Sequence, residues 1–564
     1  MQQWVDPSLR GGLPGGETRD ITVELGLDLE EAAADDAVLF GANIDTSKCY
    51  DSQVRAIVFS AAKAMGAPSG LLDAQQRFYQ GLQRAFRYGH SLGKWWGSQT
   101  SILQGRALSQ IWINLITTLW CKVIRWAAPE VTLSGFIDDR SLRTRIAEQL
   151  QKALDATAQF DAATGQRTEP DKSGAYANRT DTATKAVVKN FHMGGVNLAR
   201  RTHDKQLGVQ IPYSGWRGRE ILAERGDKLG DGARRLRLLP AHWQRKAALG
   251  GSALMPILAF GSENNPPTKA TIRQARRDIE KAINGDANKM RAVEILFTVV
   301  LDGARTDPEQ ALALEAVLVM LRILDKRSHL WNAFHKIWQY HHDHPDQAHA
   351  RGPVAHLLSI IRGLYGWTWE SPYLIRQEDG RTLHLRTDPR HYVLEQIRDG
   401  VRRQQWWHLT ADPKRPRRAD MLGLQRVDLT ATKALLRSQV PPSLRLPSQE
   451  AATMLASTLT GALSPLSRQW RRNKWHSPHC PFCGYRVNED KLHCFWACPA
   501  WSHLRAPYLQ ALRQRGFTFH EPALGMDPLP AEGHMALWAC GLCNEDPALC
   551  AALAALPSEN YEDE

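Results

Sequence analysis

The 564 residues are 43% hydrophobic and 23% charged, a balance that excludes a mostly disordered chain and gives length for three or four domains. Lys and Arg outnumber Asp and Glu by 71 to 59, a net charge of +12 that favours polyanionic partners. No apolar run reaches membrane-spanning length: the longest candidate, Ile111 to Val123, carries Asn114, Thr117, Thr118 and Lys122.

In chain order, the glycine-rich opening (Gly11 to Gly16) leads into an acidic helical stretch, Glu24 to Asp36. An apolar, strand-like run, Ala37 to Ile44, ends at Asp45. Thr46 or Ser47 then caps a helix with apolar positions Tyr50, Val54, Ile57, Val58 and Ala61, stopping near Gly66. A second amphipathic helix is expected over Asp73 to Arg87, and a third from Leu108 to Ala127, stopped before Pro129. Residues Val131 to Leu142 read as short strands around Asp138-Asp139, followed by a helix from Leu142 to Asp155 and a turn-rich stretch, Gly165 to Gly174. This mixture predicts an α+β domain with an antiparallel sheet.

From Gly215 onward the pattern is mostly helical. Thr268 caps a helix ending at Gly285, and Asp307-Pro308-Glu309-Gln310 starts a largely apolar helix to Lys326. Linker composition marks Asn264 to Pro267, Asp412 to Arg418 and Pro441 to Gln449. The N-terminus carries no secretory signal. Four of the nine cysteines crowd between Cys480 and Cys498, which points to metal in a reducing nucleus or cytoplasm rather than to disulfides.

Two features carry chemistry. Asp45 at a strand end and Asp138-Asp139 at a strand turn form a carboxylate set that needs a cation. Taken alone, an Asp-Asp pair is usually just a polar turn. Cys480-x₂-Cys483-x₉-His493-x₄-Cys498 offers four ligands at finger-like spacing, enough to close a structural Zn²⁺ sphere. Cys494 is an adjacent substitute ligand. Cys540, Cys543 and Cys550 form a poorer set, read as buried or free thiols. His341-His342-Asp343-His344 with His349 reads as a polar loop between helices. Basic residues cluster on the helix Lys269 to Lys281, at Lys414 to Arg418 after Trp406-Trp407, and at Arg468 to Lys474 with Trp470 and Trp475, a combination that suits single-stranded nucleic acid.

Six segments in order resemble reverse transcriptases, most closely those of non-LTR retrotransposons. They are Ile44-Asp45 through Tyr50-Asp51; Leu103-Gln104-Gly105-Arg106-Ala107-Leu108-Ser109; Phe136-Ile137-Asp138-Asp139; Thr164-Gly165 through Lys172-Ser173; Leu207-Gly208-Val209; and Pro240 through Gly261-Ser262-Glu263 with the basic helix beyond. The resemblance covers about residues 5 to 290, and the Cys/His segment extends it. It implies a right-hand polymerase: partial fingers and palm over 1–215, a helical thumb over 216–290, a helical extension over 291–474, a small zinc knuckle over 475–510 and a tail over 511–564.

The resemblance also implies roles. Asp45 and Asp138 would ligate Mg²⁺ (or Mn²⁺), with Asp139 in support. Tyr50 would select dNTPs by excluding a 2′-hydroxyl, Gln104 and Gly105 would line the nucleotide pocket, and Lys172 would lie near the pyrophosphate. The partners would be an RNA template, a DNA or RNA primer and dNTPs. Arg106 stands where a small Ser is usual and is expected to crowd or recharge the pocket; Cys49 replaces Ala, and Phe136-Ile137 replaces Tyr-Ala. Gly12 to Thr18 resembles a late-fingers segment, so the earlier fingers, with their triphosphate-binding cations, are expected to be absent from the chain. Two rivals follow: a non-catalytic nucleic-acid-binding relic, and an RNA-dependent RNA polymerase, whose first motif Asp45 and Asp51 also fit.

Overall fold

The computed structural model describes residues 4–169, 171–214, 220–285, 292–301, 303–345, 351–410, 436, 449–460, 469–470, 477–490, 493–514, 519–520 and 529–530. The basic cluster 414–418, residues 468 and 471–475, and Cys540, Cys543 and Cys550 lie outside these.

Helix α1 (Thr18–Ala34) precedes strand β1 (Phe40–Ile44), helices α2 (Cys49–Ser52), α3 (Arg55–Ala64) and α4 (Ser69–Gln80), and four two-residue strands: β2 (Gln83–Arg84), β3 (Arg87–Tyr88), β4 (Ser91–Leu92) and β5 (Trp96–Gly97). Helix α5 (Ser109–Ala127) leads to the hairpin β6 (Thr132–Phe136) and β7 (Asp139–Thr144), then α6 (Ala147–Thr164), β8 (Gly174–Ala177) and α7 (Thr182–Asn190). Strands β9 (His192–Met193), β10 (Val196–Asn197), β11 (Ala199–Arg201), β12 (His203–Gln206) and β13 (Val209–Pro212) complete this part.

The main sheet has the order β11-β8-β1-β7-β6. Strand β1 is central because Phe40, Gly41, Ala42 and Ile44 are buried and small or apolar on both faces. It runs antiparallel to β7 and β8. Gly41 is required here: a Cβ would stand 2.2 Å from the Tyr176 ring, which lies across the strand. Trp112, Ile116 and Trp120 of α5 and Leu150 and Leu154 of α6 belong to the core against this sheet. On the other side Leu25 of α1 packs with Tyr176, Val209, Ile211 and Tyr213.

Beyond lie α8 (Glu220–Leu238), α9 (Trp243–Leu249), α10 (Met255–Ala259) and α11 (Lys269–Asn284), then α12 (Val293–Ile295), α13 (Gly303–Thr306), α14 (Pro308–Lys326), α15 (Leu330–Asp343) and α16 (Pro353–Leu358). A small sheet, β14 (Thr368–Ser371), β15 (Leu374–Arg376) and β16 (Thr382–His384), precedes α17 (Arg390–Thr410). Helices α8 to α11 share one core, and α14 to α17 with the small sheet share another. The expected caps hold: Thr268 accepts from the Thr271 N–H, and Asp307 from the Glu309 N–H.

Helix α1 joins the parts. Val23 and Leu27 enter the core of α14 to α17, while Leu25 faces the sheet. Its acids are matched: Asp20 takes Arg322 at 2.6 Å, Glu24 takes Arg143 and Arg327, and Glu30 takes His341 at 2.8 Å.

Four expectations change. The helix set from a Thr46 or Ser47 cap to Gly66 is broken by extended backbone at Gln53 and Val54 into α2 and α3, and α2 follows Lys48 at φ +46 with no side-chain cap. The helix set over Asp73 to Arg87 stops at Gln80, and the next residues form the double hairpin β2 to β5. The helix set from Leu142 starts at Ala147, because Leu142 pairs with both Ala42 and Leu133 in the sheet. His341 is no loop residue: it sits in the last turn of α15, buried against Glu30.

Candidate active site and metal cluster

The β6–β7 hairpin pairs Phe136 with Asp139, leaving Ile137 and Asp138 as a two-residue turn. Ile137 has φ +60, a strained conformation for a β-branched residue. Its carbonyl accepts from Thr117 Oγ1 at 3.3 Å, and Gly11 packs so close that a Cβ would meet Ile137 at 2.5 Å. The turn is over-determined by its neighbours. Because Ile44 pairs with Arg140, the next residue, Asp45, comes beside Asp139, with Asp138 at the tip.

The 169–173 loop fixes Asp45. Its N–H donates to Ser173 Oγ at 3.1 Å, and its carbonyl accepts from the Glu169 N–H at 2.9 Å. Lys172 Nζ reaches Asp45 Oδ2 at 3.6 Å, although the lysine is largely solvent-exposed. The loop therefore delivers both a clamp and a cation.

The carboxylates feel one another. Burial, then Asp138, Asp45 and Asp204, push the Asp139 carboxyl up to about 6, against the pull of Lys172. Asp138 is raised by burial and by Asp45. Burial and then Asp138 push the Cys49 thiol up to about 12. Asp204 is a fourth carboxylate that the sequence reading missed. Strand β12 carries it beside Asn43, whose Nδ2 donates to Asp204 Oδ2 at 3.3 Å and to the Tyr213 hydroxyl at 2.6 Å. Its available signal was position: it stands three residues before the Leu207-Gly208 turn, where φ is +49 and +81.

The other candidate residues surround this group. Tyr50 is half-buried, and its phenol is raised by burial, then by Cys49 and Asp138. Its carbonyl accepts from the Ile102 N–H at 2.8 Å, which lays the 103–106 loop against α2. Gly105 has φ +88, open to glycine but not readily to other residues. Gln104 is exposed and lines a cleft with Asp51, Arg84, Trp95 and Leu103. Arg106 does not crowd that cleft: its guanidinium turns away to stack 3.7 Å from the Phe78 ring centroid. Asn114 is buried, its Nδ2 donating to the Gly11 carbonyl at 2.7 Å, so it braces the N-terminal segment.

The Cys/His segment converges. One ligand atom from each of Cys480, Cys483, His493 and Cys498 lies within 4.8 Å of all the others. The Cys480 and Cys498 sulfurs are 3.7 Å apart, and Cys483 Sγ is 3.5 Å from His493 Nε2. A tetrahedral zinc with ordinary Zn–S and Zn–N bonds requires about 3.8 Å and about 3.6 Å for these two edges. The 3.7 Å separation is far beyond a disulfide bond. The spacing of five between His493 and Cys498 works because the backbone makes a π turn, with the Cys498 N–H donating to the His493 carbonyl at 2.8 Å. Cys494 stands outside the converging set.

The basic helix α11 is less uniform than its sequence. Arg276 turns inward to Asp307 at 3.0 Å and to Glu309 at 3.4 Å, so the exposed stripe reduces to Lys269, Arg273, Arg277 and Lys281. Among the described residues no helix is long and apolar enough to cross a membrane.

No family model matches the chain. Over 274 residues it is 26% identical to the retrovirus-related Pol polyprotein from type-2 retrotransposable element R2DM of Drosophila melanogaster, a match covering 45% of this chain and 25% of that protein. The chain thus spans about a quarter of the relative's length. This similarity agrees with the non-LTR resemblance drawn from the ordered motifs. Solved structures with some likeness include telomerase from Candida tropicalis with a fragment of telomeric RNA (10% identity, 59% of this chain, 53% of that chain, TM-score 0.32). Telomerase from Candida albicans with such a fragment is another (9% identity, 57% and 50%, TM-score 0.30). Likeness of that degree decides neither fold nor function.

Proposed function

We propose that the chain carries the polymerase portion of a retroelement reverse transcriptase and extends a primer 3′-hydroxyl with dNTPs on an RNA template. The observation carrying this is the group of Asp45, Asp138 and Asp139, whose repulsion the chain's own cations leave largely uncompensated. Such hard oxygen donors fit Mg²⁺ or Mn²⁺. Bound divalent cations would supply the charge neutralisation that makes the primer hydroxyl a nucleophile and the pyrophosphate a leaving group.

The protein's part is positioning. The β6–β7 turn and the 169–173 loop hold the carboxylates before any substrate arrives. Tyr50, beside Asp138, would lie under the deoxyribose and reject a 2′-hydroxyl. Gly105 and Gln104 would border the incoming base, and Lys172 would meet the leaving phosphates. In this reading residues 1–215 are partial fingers and palm, 216–290 the thumb, 291–474 a helical extension and 475–510 a zinc knuckle.

Primer extension on oligo(dT)/poly(rA) tests the reaction. Incorporation of dNTPs that Asp138→Asn abolishes is expected. A protein that binds the hybrid yet gives no Asp138-dependent synthesis overturns it and leaves a binding relic. Competition between dNTP and NTP, with Tyr50→Ala relaxing the choice, separates a DNA from an RNA polymerase. For the zinc site, one Zn²⁺ per chain is expected by atomic absorption, lost in Cys498→Ser. Full retention in that variant would remove Cys498 from the ligand set.

A further inference from the structure

The double hairpin β2 to β5 stands apart from the rest of the surface. Phe86 is 79% exposed, Tyr88 91%, Trp95 56% and Trp96 42%, on a ribbon only two strands wide. Two-stranded ribbons bury little on their own, and so much exposed ring surface is unusual without a partner. The geometry is ordered: Arg87 pairs with Leu92 and Tyr88 with Ser91 around a two-residue turn at Gly89, where φ is +58. Phe86 and Trp96 lie with ring centroids 6.3 Å apart.

Charge says which partner. From Ala74 to Pro129 the chain has no Asp or Glu, while Arg77, Arg84, Arg87, Lys94 and Arg106 fall on or beside the ribbon. The cleft at its root is lined by Arg84, Leu92 and Trp95 from the ribbon, and by Asp51, Leu103 and Gln104 from the candidate nucleotide pocket. Exposed rings interleaved with cations match the stacking faces and phosphates of an unpaired strand. Continuity with Gln104 places that strand next to the reacting base pair.

We infer that the β2–β5 ribbon is a docking arm for single-stranded nucleic acid, taking the unpaired template ahead of the active site by stacking bases on Tyr88, Phe86 and Trp95 with Arg87 and Lys94 on phosphates. This rests on the polymerase reading only for naming the strand as template. The test needs neither Mg²⁺ nor dNTP. The chain with its Zn²⁺ site loaded, and without added Mg²⁺, is titrated with an RNA–DNA hybrid carrying a 5′ RNA overhang of about twelve nucleotides, within the reach of such surfaces, and with the same hybrid made blunt. Wild type should bind the overhang form more tightly. Tyr88→Ala/Trp95→Ala should lose roughly tenfold to a hundredfold on the overhang form and little on the blunt one, with Tyr88→Phe retaining binding. Arg87→Ala/Lys94→Ala should lower the salt slope by about 1.4. Tyr88 and Trp95 are surface rings, 91% and 56% exposed, and circular dichroism checks that their variants fold. Equal affinity of wild type for both hybrids overturns the inference, as does an overhang preference that survives in Tyr88→Ala/Trp95→Ala. Loss of self-association in that variant without a change in hybrid binding overturns it too, and makes the ribbon a protein contact. Because binding is read without synthesis, an inactive chain that still prefers the overhang refutes polymerase activity and keeps the arm.

Discussion

Two sets of carboxylates in this molecule are treated in opposite ways. Around α1 and the helical part most buried acids have a direct partner: Asp20 pairs with Arg322, Asp307 with Arg276, and Glu30 with His341, while Glu263 is buried without a hydrogen-bond partner among the described residues. Below the sheet Asp161 takes both arms of Arg140, at 2.8 and 2.9 Å. At the tip of β6–β7 four acids, Asp45, Asp138, Asp139 and Asp204, share a neighbourhood with Lys172, whose ammonium is mostly in water. Buried charges are ordinarily neutralised within the fold because leaving one bare costs several kcal/mol. Four half-exposed acids with one largely solvated lysine form the least neutralised carboxylate group beside the paired Asp20, Asp161 and Asp307, and under the proposed function that deficit is what external cations would fill.

The largest test of that contrast is kinetic. Asp138→Asn or Asp45→Asn should reduce primer extension by on the order of 10³-fold or more while hybrid affinity stays within about threefold, because in the proposed reaction these side chains act on the reacting atoms and not on the duplex. Next comes the structural set. Asp307 is fully buried, accepting from Gln405 at 2.7 Å as well as from Arg276, so Asp307→Ala strands a buried guanidinium. A loss of about 3–5 kcal/mol in denaturant unfolding is expected. A loss below about 1 kcal/mol would mean that the ion pairs of α1 and α14 are ornament and that the contrast has no energetic basis.

The tip was the most legible part of the sequence. Apolar runs ending at Asp45 and flanking Asp138-Asp139 specify strands whose ends carry acids, and the pairing places those ends together. Asp204 was illegible because short polar strands such as His203–Gln206 carry no apolar alternation. The ribbon was misread as helix because Gln83 to Arg87 has good helix formers, and Gly89, which makes its turn, comes later. Strands β14 to β16 were likewise missed, because single buried residues, Trp369, Ile375 and Leu383, anchor each to the helical core. In these cases hairpin pairing, and for β14 to β16 burial against the helices, overrode local propensity. The converging Cys480, Cys483, His493 and Cys498 were legible, since ligand chemistry fixes spacing, but the π turn joining the last two was not.

A smaller effect distinguishes the sets by sign. Asp139 holds its proton to about pH 6, above the roughly 3.9 of an unfolded aspartate. A raised carboxyl stabilises the fold at low pH, and that contribution is lost as pH rises through about 6. At pH 7.5 without metal the charged tip is therefore a strain, and Asp139→Asn should raise stability by about 1 kcal/mol, the partial exposure of the site discounting the full shift. Asp161→Asn, by contrast, should destabilise. Adding Mg²⁺ should stabilise wild type more than Asp139→Asn. If Asp139→Asn destabilises as Asp161→Asn does, Asp139 belongs with the structural acids.

The smallest effect separates the two regions within one molecule. His356 on α16 is only partly exposed, with Nε2 enclosed and unpartnered, and burial pushes its imidazole down to about 4. Below about pH 6.5 the unfolded chain takes up a proton that the folded helix refuses, so stability is full above that pH and falls on the way to about 4. Between pH 7.5 and 5.5 the sheet tip gains as Asp139 protonates, while the α14–α17 core loses through His356, each by about 1 kcal/mol or less after solvent screening. Hydrogen exchange at the two pH values should show protection rising in β6–β7 and falling in α16, and His356→Phe should cancel the second change alone. Parallel changes in both regions would mean that α1, which carries residues of both cores, locks them into one cooperative unit, so that the opposite treatment of their charges is averaged over the whole fold.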